Sequence, residues 1–103
     1  MFTLRGMSPA SPQAQLEGAA DRVALAAILD ASGRYAEARA ALDDALAVYV
    51  RVLGAEHYEV ASVLRDLAGV AEHAGELERA SALRAQAQQI RRRVVGHTHR
   101  RAP

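Results

Sequence analysis

Shifted by 42 residues, the chain falls on itself: Gly33 meets Gly75, Ala38 meets Ala80, Ala45 meets Ala87, Val48 meets Ile90, Val52 meets Val94, Gly54 meets Gly96 and His57 meets His99. The same shift pairs Ala19 with Ala61, Leu25 with Leu67, Ala26 with Ala68 and Ile28 with Val70. A period of roughly 20–50 residues marks a stacked array, because each unit is one supersecondary element that buries its apolar side only against a neighbour. The chain reads as one unit written twice.

Inside a unit, apolar residues recur at three- and four-residue steps for about eighteen positions, stop at a glycine and resume with the same helical period. Each unit is therefore a helical hairpin. Ser11-Pro12 suits a helix start, since serine accepts a hydrogen bond from the first turn and proline lacks an N–H that would go unsatisfied there. The first helix then ends at Gly33 and the second runs from about Tyr35 to Leu53, stopping at Gly54. The third runs from His57 or Tyr58 to His73 before Gly75, and the fourth from about Leu77 to Val95, ending near Gly96. The predicted fold is all-α: two stacked antiparallel helical hairpins, units about 11–53 and 57–95, between a disordered tail over 1–10 and a basic tail over 96–103.

Composition agrees with close helix packing. Half of the 103 residues are apolar, but only Phe2, Tyr35, Tyr49 and Tyr58 are aromatic, and alanine, the best helix former, is abundant. The absence of cysteine excludes disulfides, thiolate metal sites and thiol nucleophiles, and fits a reducing cytoplasm. No apolar run approaches the roughly 20 residues of a membrane span. Thirteen basic residues, all arginine, against twelve acidic ones leave a net charge of +1, which argues against a protein built to neutralise phosphates. The arginine and alanine bias points to a GC-rich bacterial genome.

Apolar faces of different width predict the stacking order. The second helix is apolar over more than half its circumference and belongs inside. In the fourth, Leu77, Ala80, Leu83, Ala87, Ile90 and Val94 form one narrow stripe, so that helix has a wet side and suits a cap. The first helix is anomalous: Val23 to Leu29 is apolar all round although the helix is terminal, so something must cover it.

The segment Leu25-Ala26, Gly33-Arg34-Tyr35, Glu37-Ala38, Ala45-Leu46, Leu53-Gly54-Ala55-Glu56-His57, Val60-Ala61 and Leu67-Ala68 resembles the tetratricopeptide repeats of the kinesin-light-chain type, whose unit is 42 residues long. The resemblance covers roughly residues 19 to 99 and departs in places: Tyr58 and Arg100 stand where a proline follows the link histidine, and Leu42 of the first unit becomes Arg84 in the second. It implies a fragment of an α-solenoid that binds a protein or peptide on its concave side. By position, that side takes Ala20, Val23, Ala27, Asp30 and Ala31 from unit one, and Ser62, Arg65, Gly69, Glu72 and His73 from unit two. The paired asparagines with which the family clamps a peptide backbone are absent, the matching residues being Val23-Ala24 and Arg65-Asp66.

Two further surfaces carry hypotheses. Leu25, Ile28 and Leu29 on the apolar first helix form a self-association surface, which predicts a homodimer; in a longer bacterial signalling or transcriptional regulator, a preceding repeat would cover them instead. Arg91, Arg92, Arg93, Arg100 and Arg101 concentrate charge for nucleic acid, but no aromatic platform accompanies them and the sequence argues against that partner. His97-Thr98-His99 is set aside as a metal site, and His57 reads as a cap for the next helix. Asp43-Asp44 and Glu76 with Glu78 lie on polar helix faces without a nucleophile or base, so no catalytic residue and no cofactor are expected.

Overall fold

Local signals divide the chain into four helices. A computed structural model describes the backbone of residues 10–100 and the side chains of 10–96. The helices are α1 (Pro12–Ala31), α2 (Tyr35–Leu53), α3 (Tyr58–His73) and α4 (Leu77–Arg100). Apart from Ala10, the tail expected over 1–10 lies outside the described residues, as do the side chains of His97 and His99.

The ends of the helices follow from single residues. Ser11 caps α1, its hydroxyl accepting from the Ala14 N–H at 3.1 Å, with Pro12 in the first turn. At the other end Arg34 N–H donates to the Leu29 carbonyl at 2.8 Å and Gly33 N–H to the Asp30 carbonyl at 3.0 Å, with Gly33 at φ +78°. Glu76 to Ala71 at 2.8 Å and Gly75 to Glu72 at 3.0 Å, with Gly75 at φ +83°, repeat the same closure after α3. Each hairpin turn needs a left-handed residue, and glycine reaches it without a Cβ penalty. Between the units Gly54 ends α2, and His57 caps α3 by accepting from the Glu59 N–H through Nδ1 at 3.0 Å.

Gly96 does not behave as its counterpart does. The helix expected to end there continues to Arg100, so the basic tail predicted over 96–103 begins as helix, and residues 101–103 lie outside the described residues. Glycine permits a stop without imposing one. At Gly54 the break is fixed by the His57 cap and by the packing of α3 on α2.

Packing within each hairpin is set by alanine. Ala19, Ala26, Ala38 and Ala45 in the first, and Ala61, Ala68, Ala80 and Ala87 in the second, are at most 1% exposed. Side chains this small let two helices cross closely. The hairpins then stack through α2 and α3, where a single core joins Leu42 and Tyr49 to Val60, Leu64 and Leu67. As expected, α2 is the inner helix. α1 packs on α2 and slightly on α3, and α4 packs on α3, so each end face is without a neighbour among the described residues.

The stripe of α4 holds for Ala80, Leu83, Ala87, Ile90 and Val94 but not for Leu77, which is 65% exposed. Its counterpart Tyr35 lies beside Leu67, Val70 and Ala71 of α3. No such helix covers Leu77 among the described residues. Leu42 is the largest side chain held almost wholly out of water, at 1% exposure. Leu42→Ala is therefore expected to cost about 2–5 kcal/mol, read as a lower midpoint in urea or thermal unfolding, with helical content retained below the transition.

Candidate functional site

The two hairpins carry the same surfaces, so each can be read against its copy. Leu67 and Val70 of α3 are 3% and 5% exposed, because α2 packs over them. Their counterparts on α1, Leu25 and Ile28, are 48% and 65% exposed. The first helix thus presents a stacking face on which no described residue is stacked. Leu29 does not belong to that face: it is 8% exposed and part of the core, because one helical residue turns the side chain by about 100° and carries it from the open side to the α2 side.

The residues expected on the concave side are distributed over three places. Asp30 and His73 come together across the two hairpins, with the Asp30 carboxylate oxygens 2.9 and 3.0 Å from His73 Nδ1 and the His73 ring 6.2 Å from that of Tyr35. Val23 packs against the core, while Ala20, Ala27 and Ala31 are exposed and Gly69 is half-buried. Arg65 and Glu72 lie at the other end of the molecule: Arg84 donates to Glu72 at 3.1 Å, and Arg65 enters a cleft between α3 and α4. The partner groups in the first unit explain this division. Val23 and Asp30 correspond to Arg65 and Glu72, and in the first unit that side of the helix is already covered by α3.

Ser62, Arg65, Asp66, Arg84, Ala87, Gln88 and Arg91 line this cleft of about 380 Å³. Sequence reasoning noted Arg84 in place of Leu42 but missed the rest of the substitution. The α2 stripe that receives the second hairpin is Leu42, Leu46, Tyr49 and Leu53; 42 residues on it reads Arg84, Gln88, Arg91 and Val95. An apolar stacking face has become a cationic one, and setting the two stripes side by side would have found it.

Electrostatics in the cleft are mixed. Desolvation raises the Asp66 carboxyl above its ordinary value, with the neighbouring Arg65 guanidinium working against that shift. In the seam between the hairpins, burial and then the charge of Glu59 raise the Tyr49 hydroxyl. The arginine run is dispersed. Arg91 lines the cleft and shares a second hollow with Arg92 and Val95, while Arg93 donates to Glu56 in the α2–α3 link at 2.5 Å.

Among the described residues no group of three His, Asp or Glu side chains is placed to hold a metal ion, and no helix is long and apolar enough to cross a membrane. A family model described as tetratricopeptide repeat matches residues 18–93, which span both hairpins from within α1 to within α4. No curated protein matches the chain.

A carboxyl whose folded-state pKa is raised destabilises the fold while it is charged. The cost is present at neutral pH and fades as the pH falls through the raised value to below the ordinary 3.8, where both folded and unfolded chains are protonated. Asp66→Asn is expected to raise the melting temperature at neutral pH, and melts repeated down an acid series should show the gain disappear.

Proposed function

Because the chain belongs to the tetratricopeptide-repeat family, we propose that it serves as a non-catalytic scaffold whose working surface is the open face of α1, covered in use by a helix of a partner protein. Membership carries the general part: this is a protein-interaction repeat module. The exposure of Leu25 and Ile28, at positions whose counterparts are buried, supports the choice of surface. A folded monomer gains nothing by holding two large aliphatic side chains in water on one helix. Burying them releases on the order of 25 cal/mol for each Å² of apolar surface.

The partner that fits is a helix laid as α2 lies on α3 in the second unit, bringing an apolar side chain to Leu25 and Ile28. A second copy of the chain supplies the first such partner, in a homodimer or larger assembly; a preceding repeat of a longer regulator is the second reading. The 42-residue spacing and the capping His57 support the kinesin-light-chain-like subtype. The lack of cysteine supports a cytoplasmic setting.

A photoreactive side chain at position 28, introduced in the producing cell, should give an adduct with a protein, while the same group at exposed Asp44 on α2 gives none. Leu25→Asp should abolish that adduct yet shift folding stability by no more than about 0.5 kcal/mol, as surface changes do. Absence of any adduct at position 28, in a chain that melts normally, would sink this surface as the site of interaction.

A further inference from the structure

The molecule contains its own template for how one hairpin receives the next, and the same 42-residue step can be applied at its two ends. Moving forward, the stripe of α2 becomes the stripe of α4; moving back, the face of α3 becomes the face of α1. Each contact in the seam therefore names a pair that would meet if the α1 face of one copy were laid on the α3–α4 face of another.

Two of these pairs are complementary, and a third pair of core positions carries opposite charges. Tyr35 lines one groove with Leu67 and Val70. Its counterpart Leu77, 65% exposed, would meet Leu25 and Ile28, which are exposed at the opposite end. Tyr49 and Val60 share the core across the seam, with Glu59 next to Val60 in the first turn of α3. The counterparts of Tyr49 and Glu59 are Arg91 and Glu17, a cation and an anion. Val23 and Val63 both belong to the core, Val63 within it and Val23 packed against it. Arg65 and Asp21 take their places. So the cationic end carries Arg65 and Arg91 where the other end carries Asp21 and Glu17, and the exposed leucine of one end falls opposite the exposed leucine and isoleucine of the other.

Not every pair is favourable. Arg84 replaces Leu42 at the centre of the stripe, but its guanidinium is turned along its own hairpin to Glu72. Gln88, Arg92 and Arg22 replace Leu46, Val50 and Leu64, which line one groove in the seam, so two guanidinium groups would share it. The contact between copies is therefore weaker and more salt-sensitive than the seam inside the chain.

From these pairings we infer that copies of the chain stack head to tail, the α1 face of one seated on the α3–α4 face of the next, with Glu17 against Arg91 and Leu25 and Ile28 against Leu77. This rests on the α1 face being the interaction surface and names its partner. A two-fold dimer would place α1 against α1 and leave Arg91 unused. Head-to-tail contact is heterologous, so it leaves a free end at every step and adds copies until the chain of contacts closes or the supply runs out.

Light scattering over a concentration series at low salt tests it on the whole chain. The wild type should grow with concentration past two copies without a plateau, and more weakly as salt rises. Glu17→Arg and Arg91→Glu should each reduce association at least tenfold, since each sets like charges against one another, and an equimolar mixture of the two variants should restore it. Circular dichroism melts confirm that each variant is folded. A plateau at two copies, unaffected by Arg91→Glu but abolished by Leu25→Asp, overturns the stacking and leaves the α1 surface standing. A wild type monomeric at every concentration also overturns it. If the adduct at position 28 then proves to be a different protein, only the identity of the partner has failed.

Discussion

The seam between α2 and α3 holds the rest of the molecule in place. Within each hairpin the closest approach is made by alanines, which bury little apolar surface per residue, with Leu29 in the first and Leu83, Ile90 and Val94 in the second packed beside them. The larger side chains, Leu42, Tyr49, Val60, Leu64 and Leu67, are spent where one hairpin meets the other. The two kinds of contact have different work. Alanine sets the distance between helices, and the leucine-rich seam makes the hairpins cooperate.

Building a fold by repeating one contact has a consequence at the ends. A closed globule can bury every apolar face, whereas a stack of two units uses one seam and carries both halves of it outward again. The half on α1 keeps its apolar character in Leu25 and Ile28, although Asp21 and Arg22 have replaced the counterparts of Val63 and Leu64. The half on α4 has been rewritten as Arg84, Gln88 and Arg91, with Arg65 and Asp66 beside it on α3. Charged residues at a stacking position keep the surface hydrated. They also leave the end cationic, and the acidic positions Glu17 and Asp21 lie at the opposite end of the same chain.

Much of this was legible in the sequence because it depends on local rules. Ser11, Gly33, His57 and Gly75 terminate or cap helices through hydrogen bonds made within a few residues, so their roles could be read without knowing the fold. The 42-residue shift located the buried alanines for a related reason: a repeated residue keeps its rotational phase about the helix axis. What could not be read was anything requiring a neighbour. Leu29 and Ile28 are adjacent and equally apolar, yet one lies in the core and the other in water, because α2 covers only one side of α1. Asp30 and His73 were placed on the concave side separately, and only the stack brings them within 3.0 Å. Gly54 and Gly96 occupy one repeat position but only the first breaks its helix, the difference lying in the capped, packed helix that follows it.

The rewritten stripe is better understood as a filter than as a loss. An ordinary repeat laid on the α3–α4 face would bring an apolar side chain against Arg91 and bury a guanidinium without a partner. Truncating one member of a buried ion pair costs about 3–5 kcal/mol, which indicates how strongly such a mismatch is rejected. A helix that brings a carboxylate to the same place avoids that cost, and the exposed Leu77 at the start of α4 still offers apolar surface to bury. Attraction alone would let any apolar helix attach to an open stack. In the stacking inferred above, arginine at the position of Tyr49 makes attachment conditional on charge, so that specificity comes from what the face repels as much as from what it holds.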